Sequence, residues 1–339
     1  MCRWWTIARY KMNRNRDTLL AEIATRYYVH DQSQQEIADQ LDLSRSNISR
    51  LLKEARERGI IEIIIRHPLG RDTYLEGQLM ERFGLREAGV VQASPGDPQA
   101  TVDQTAILAA RMLDSFLADA RVLATAWGTT MHAVAQVFAP SRRYDVEVVQ
   151  MMGGVGSTDP VVDGPTLAQQ LARAMTNRCR YLHAPLIVDT PATAQALLTQ
   201  RDIAETLSVA AHADVALVGI GTVEPAASSL QRAGYLKSEE FRAIQDAGGV
   251  GDICGRYFDI TGKLAIPEID QRVVSISLEK IANIPVVVGV ACGAVKGPAI
   301  LGALRGNYLS VLVTDSAAAE AVLELANTVE APLSDRSVD

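Results

Sequence analysis

The chain has 339 residues, of which 48 % are apolar and 22 % charged, and its formal net charge is −7. That length suits two folding units, and that composition suits an ordinary globular protein. No apolar run approaches the eighteen or so residues that a membrane-crossing helix needs. Residues 1–11 lack the apolar core of a secretory signal. The four cysteines, Cys2, Cys179, Cys254 and Cys292, form no CxxC pair. That argues for a reducing compartment, the cytoplasm, and against a structural zinc site.

Charge is uneven along the chain. Residues 1–71 hold 13 Lys/Arg against 9 Asp/Glu, whereas residues 72–339 hold 20 against 31. A basic head on an acidic body suits a protein that offers one end to a polyanion. Residues 1–15, with Trp4 and Trp5 in a segment without periodicity, are expected to form a disordered leader, and Met12 offers a second start.

Residues 16–67 read as a winged helix-turn-helix. Leu19, Leu20, Ile23, Ala24 and Tyr27 recur at helical spacing from Asp17. Ser33 with Glu36 makes a capping box that opens a short second helix burying Ile37, Ala38 and Leu41. Asp42 and Leu43 turn the chain, and Ser44 can cap a third helix. There Ile48, Leu51, Leu52 and Ala55 form one apolar stripe, leaving Ser46, Ser49, Arg50 and Lys53 on the opposite face, with Arg45 and Arg56 flanking. Short hydroxyls permit close approach to base edges, and Arg and Lys reach guanine or phosphate. Ser33, Gln34, Ser44, Arg45, Ser46, Asn47, Ser49, Arg50 and Lys53 are therefore the candidate contacts to double-stranded DNA. Gly59 ends the helix, and residues 60–66 read as a β-rich wing. A helical hairpin packed on another protein is the alternative.

Residues 68–83 look amphipathic through Tyr74, Leu75, Leu79 and Met80. They read as a linker helix that could pair with its copy, or as an ordinary helix of the larger domain. From residue 84 to 330, strands at 88–92, 122–126, 146–151, 215–219, 286–290 and 309–313 alternate with helices such as 101–117, 130–137 and 167–176. This implies an α/β, Rossmann-like domain with a mostly parallel sheet. Residues 331–339 read as a tail. Ligands of such sheets bind at the carboxyl ends of the strands, and those ends are glycine-rich here. Gly128, Thr129 and Thr130 follow a strand and open a helix, a plausible phosphate cradle. Gly153 and Gly154 lie at a second strand end and Gly221 at a third. Asp252 lies in what reads as a glycine-rich loop, suited to sugar hydroxyls. Lys296 follows a strand before Gly297 and Pro298, placed as a point charge for phosphate. No cofactor and no metal is expected.

Taken together, SQQEIADQLDLSRSNISRLLKEARERGII (33–61), AWGTT (126–130), MMGGVG (151–156), VALVGIG (215–221), GDICGRYFD (251–259) and GVACGAVKGPAILGALRGNYLSVLVTD (289–315) resemble the SorC family of sugar-responsive bacterial regulators, over residues 17–328. The resemblance implies an effector domain related in fold to sugar-phosphate isomerases and deaminases, usually in a tetrameric regulator. It implies that Gly128, Thr129, Thr130 and Lys296 hold the phosphate of a sugar or polyol while Asp252 holds hydroxyls. The chain departs from the pattern at Ala126, where glycine is common, and its Cys254 and Cys292 occupy pocket-side positions that vary. Two rival readings stand beside this one. An isomerase or deaminase of the same fold would need a positioned general base, yet none of the five histidines shares a short motif with a carboxylate. A DeoR-type regulator would join a different DNA-binding domain to a similar body.

Overall fold

A computed structural model describes residues 3–61, 69–154, 164–232 and 234–330. The chain divides into two compact units, residues 1–68 and 69–339.

The first unit is three helices, α1 (Arg3–Tyr28), α2 (Gln34–Leu41) and α3 (Arg45–Glu57). The first begins at Arg3 rather than near Asp17, so helix runs through the stretch expected to be a disordered leader. The capping box forms as the spacing required: Ser33 Oγ accepts the Glu36 N–H at 3.2 Å, and the Glu36 carboxylate accepts the Ser33 N–H at 2.8 Å. Asp42 closes α2 in the left-handed region, at φ 54°. Ser44 Oγ then takes the Asn47 N–H and starts α3. Leu20, Ile23, Ala24, Ile37, Ala38, Ile48, Leu51, Leu52 and Ala55 form one buried core. Burying such side chains, at about 1.5–3 kcal/mol for each large one, holds helices this short together. Of the expected wing, residues 62–66 lie outside the described residues.

The second unit is built on a seven-stranded sheet, parallel throughout, in the order β1-β10-β9-β5-β2-β3-β4. Its strands are β1 (Glu87–Val91), β2 (Val122–Thr125), β3 (Glu147–Gln150), β4 (Cys179–Arg180), β5 (Val215–Gly219), β9 (Val286–Val290) and β10 (Val311–Asp315). Their apolar runs are continuous because both faces are covered. Ala216 and Val218 enter one core cluster and Val215 and Leu217 the other. A smaller antiparallel sheet joins β6 (Gly221–Thr222), β7 (Gly249–Ile253) and β8 (Arg256–Asp259). The hairpin between the last two turns on Cys254 and Gly255, at φ 56° and 76°, the signs a two-residue type I′ turn demands.

Asp252 therefore lies in a strand, not in a loop. Glycine is a poor strand former, but its small size is needed here. A Cβ on Gly251 would sit 2.4 Å from that of Ala299, and one on Gly249 2.6 Å from Ile244 Cγ2. Helix α4 (Thr73–Phe83) is likewise not a free linker. Leu75 and Leu79 enter the main core of the body, and buried Glu76 takes the Val90 N–H and the Arg71 guanidinium.

Candidate functional site

From β2 the chain steps outward to β3 and β4. From β5 it steps the other way, to β9 and β10. The order reverses between β2 and β5, and in open α/β sheets the loops leaving such a switch point flank the ligand crevice. A cleft lies there, lined by residues from Ala126–Met131, Gly219–Gly221, Asp252, Cys254 and Lys296. Six of the eight sequence-expected ligand residues, Gly128, Thr129, Thr130, Gly221, Asp252 and Lys296, line it together.

Its first wall is the start of α6 (Thr129–Val137), the helix that follows α5 (Pro98–Phe116). Gly128 caps this helix at φ 143°, ψ 162°, with no side-chain hydrogen bond to the first turn. Only glycine adopts that conformation readily. The first-turn N–H groups are thus left to solvent or ligand, at the positive end of the helix dipole. Opposite, Lys296 ends a short 3-10 turn, Ala294–Lys296, before the helix Gly297–Arg305. Its Nζ donates to the Ile220 carbonyl oxygen at 2.7 Å, which ties the ammonium across the crevice to the loop after β5.

Asp252 forms the floor. It is buried, and its Oδ2 accepts the Gly255 N–H at 3.0 Å. Burial pushes its pKa up to about 6, against the pull of that N–H and of the Lys296 charge. Gly221 faces Asp252 in the ladder, and a Cβ there would fall 1.7 Å from Asp252 Oδ1. The glycine is therefore what lets the carboxylate seat. Burial likewise raises the Cys254 thiol, helped by the Asp252 charge, and takes Cys292 to about 11. Neither thiol is a ready nucleophile at neutral pH.

Gly153 and Gly154 are not among the residues that line this cleft. The Gly153 N–H donates to Val274 O and that of Gly154 to Ala184 O. A Cβ on Gly153 would strike the Pro185 carbonyl. Gly153 allows two backbones to approach, and both amides are spent. Met152, just before them, is the residue of that motif that lines the cleft. Sequence reasoning also missed Ile220, Ser229, Leu230 and Val290 as lining residues. Ser229 and Leu230 carried no signal, since they come from a helix outside the strand ends. Val155 and Gly156 lie outside the described residues.

On the head, Ser33, Ser44, Arg45, Ser46, Ser49, Arg50 and Lys53 are exposed, and Gln34 and Asn47 half-buried. Arg50 is steadied by Asn47 Oδ1 at 3.0 Å. Lys53 stands 3.8 Å from Glu57 in an exposed pair, a contact easily exchanged for another anion. Glu54 is occupied by Arg16 and Arg58, at 2.7 and 2.9 Å, and flanking Arg56 by the Tyr28 hydroxyl at 2.6 Å. Ser33 and Ser44 accept as helix caps, and Ser44 Oγ also lies 3.0 Å from Ser46 Oγ, within hydrogen-bonding distance.

A three-helix head of this kind, followed along the chain by a domain with a switch-point cleft, defines a DNA-binding transcriptional regulator that carries its own ligand-binding domain. The family model described as "Putative sugar-binding domain" matches residues 67–324, and the model of sigma-70 region 4 matches residues 20–58. The chain is 33 % identical to the deoxyribonucleoside regulator of Bacillus subtilis, over 92 % of this chain and 99 % of that one. It is 30 % identical to the sorbitol operon regulator of Klebsiella pneumoniae, over 90 % and 98 %. The crystal structure of that full-length regulator, SorC, superposes with a TM-score of 0.68 at 31 % identity, covering 91 % of this chain and 99 % of that one. The chain belongs to the SorC family of sugar-responsive transcriptional regulators. The agreement spans head and body alike. The relatives are regulators rather than enzymes, which decides against the isomerase.

Proposed function

We propose that this protein regulates a carbohydrate or polyol catabolic operon in the cytoplasm, and that a phosphorylated sugar or polyol in the switch-point cleft sets its affinity for the operator. The observation that carries the reading is the uncapped start of α6, Gly128-Thr129-Thr130, sharing one cleft with Lys296. Free N–H groups at a positive helix end and a lysine nearby suit a phosphate. Asp252 supplies an acceptor for hydroxyls, and Gly221 makes room for it. The relatives' names, a sorbitol operon regulator and a deoxyribonucleoside regulator, support a sugar or polyol as the effector class.

On the DNA side, Ser46, Ser49, Arg50 and Lys53 meet the major groove, and Ser33, Gln34, Ser44, Arg45 and Asn47 meet the backbone at the two helix starts. A single helix-turn-helix buries too little surface for a specific site, so paired heads on a pseudo-palindrome are required. A homotetramer is the assembly proposed, and light scattering at micromolar concentration tests it, with a monomer as the contradicting result. For the effector, a thermal-shift panel of sugars and polyols with and without phosphate is the test. A ligand at a hundred times its Kd adds about 2.7 kcal/mol to apparent stability. Only phosphorylated members should raise Tm in wild type, and none in Lys296→Ala. An unphosphorylated sugar that stabilises both proteins equally would refute the reading.

A further inference from the structure

We propose that Asp315 is a positioning residue of the effector site, holding the turn that delivers Lys296 by tying the Gly293 amide to the start of the C-terminal helix. This rests on the reading of Lys296 as an effector ligand. Asp315 ends β10 and is 1 % exposed. A carboxylate so deeply buried must be hydrogen-bonded, and three backbone donors meet it. Its Oδ1 accepts the Ala317 and Ala318 N–H groups at 3.0 and 3.3 Å, capping the helix Ser316–Glu330. Its Oδ2 accepts the N–H of Gly293.

Gly293 is where the Lys296 turn begins. It sits at φ 92°, and its carbonyl accepts the Lys296 N–H at 2.9 Å, which closes the turn. The far end of the turn is held by the same helix, since a Cβ on Gly297 would lie 2.9 Å from Ala321 Cβ. Asp315 and Lys296 also act with opposite sign on the Cys292 thiol, the carboxylate raising it and the ammonium lowering it, which places both charges around one sulfur. The turn therefore has little freedom while Asp315 is a carboxylate.

Asparagine at this position separates the two jobs. Its one remaining oxygen can still cap the helix, but its NH₂ group meets the Gly293 N–H donor to donor. Hydrogen–deuterium exchange on the full-length, ligand-free chain should show Asp315→Asn exchanging about tenfold faster at residues 293–296, the loss of one charge-assisted bond. Residues 316–330 should stay protected. Inorganic phosphate, followed by ³¹P line broadening, should bind Asp315→Asn about tenfold more weakly than wild type. In a Lys296→Ala background the same change should cost nothing further, because its effect passes through that lysine. Unchanged exchange at 293–296 overturns the proposal, as does loss of protection across 316–330, which would make Asp315 a general support. Losses that add independently in the double variant overturn it too. Should wild type not bind phosphate at all, the reading of the cleft fails, and the exchange pattern alone decides the role of Asp315.

Discussion

Gly221→Ala is the substitution whose consequence the structure fixes most tightly. The new methyl would lie 1.7 Å from Asp252 Oδ1 and 2.7 Å from its Cγ, and contacts under 3.0 Å are ones that Cβ atoms essentially never make. The carboxylate would have to retreat by about 1.3 Å. It is buried and paired directly across the ladder, so it cannot do so without giving up the Gly255 N–H at 3.0 Å. Overpacking costs about 1–3 kcal/mol, and a lost hydrogen bond to a charged group about 1.5–3 kcal/mol. Together these come to about 2.5–6 kcal/mol, at roughly 2–4 °C of Tm for each kcal/mol in a unit this large. Calorimetry reads the stability and phosphate binding reads the site. Gly77→Ala is the matched control. It adds a methyl with nothing within 4 Å, inside helix α4, and should raise stability by about 0.5–1 kcal/mol. If the two variants melt together and bind phosphate alike, the argument from Gly221 to Asp252 is wrong.

Gly128→Ala meets no atom within 4 Å, so its cost is conformational alone, about 1–3 kcal/mol, and weaker phosphate binding should accompany the lower Tm. Asp252 makes both stability and binding depend on pH. Its folded pKa, about 6, lies above its value of about 3.9 in an unfolded chain, so the folded protein holds the extra proton. Ligand-free stability should fall as pH rises through that window. Affinity for a polyhydroxylated effector, which uses the ionised acceptor, should rise as pH passes through the folded pKa of about 6. Asp252→Asn should flatten both trends, and wild-type affinity that is level between pH 5 and 7.5 would refute this role. On the head, Arg50→Ala should cost about 1–3 kcal/mol of specific operator binding if the guanidinium pairs with a base, with Lys53→Ala reducing the salt slope. A folded double variant with wild-type affinity and salt dependence would exclude this face.

The head was legible in the sequence because its physics is local. Cap spacing and the stripe of Ile48, Leu51, Leu52 and Ala55 act within a few residues of one another. Strands such as Val215–Gly219 and Val286–Val290 were legible for a similar reason, being continuous apolar runs bounded by glycine. The small antiparallel sheet was not. Gly249 and Gly251 look like loop residues until Ile244 and Ala299 are seen pressing on them, the second of these from a segment far away in sequence. Likewise, only the fold shows the Gly153 and Gly154 amides committed to Val274 and Ala184. The amphipathic pattern of α4 showed that it buries a face, but not that the face belongs to the body's own core.

The central claim is that the cleft governs the head, and the most direct test is operator affinity measured across a titration with the phosphorylated sugar that best stabilises the protein. Coupling of this kind is reciprocal and typically about 1–3 kcal/mol, so wild-type affinity should change by about 5- to 150-fold, and operator DNA should shift effector affinity by the same factor. Lys296→Ala should bind the operator as wild type does without effector and stay unresponsive at the effector concentration that saturates wild type. A Lys296→Ala protein that responds at the wild-type concentration would contradict the account, because the phosphate would then be held elsewhere.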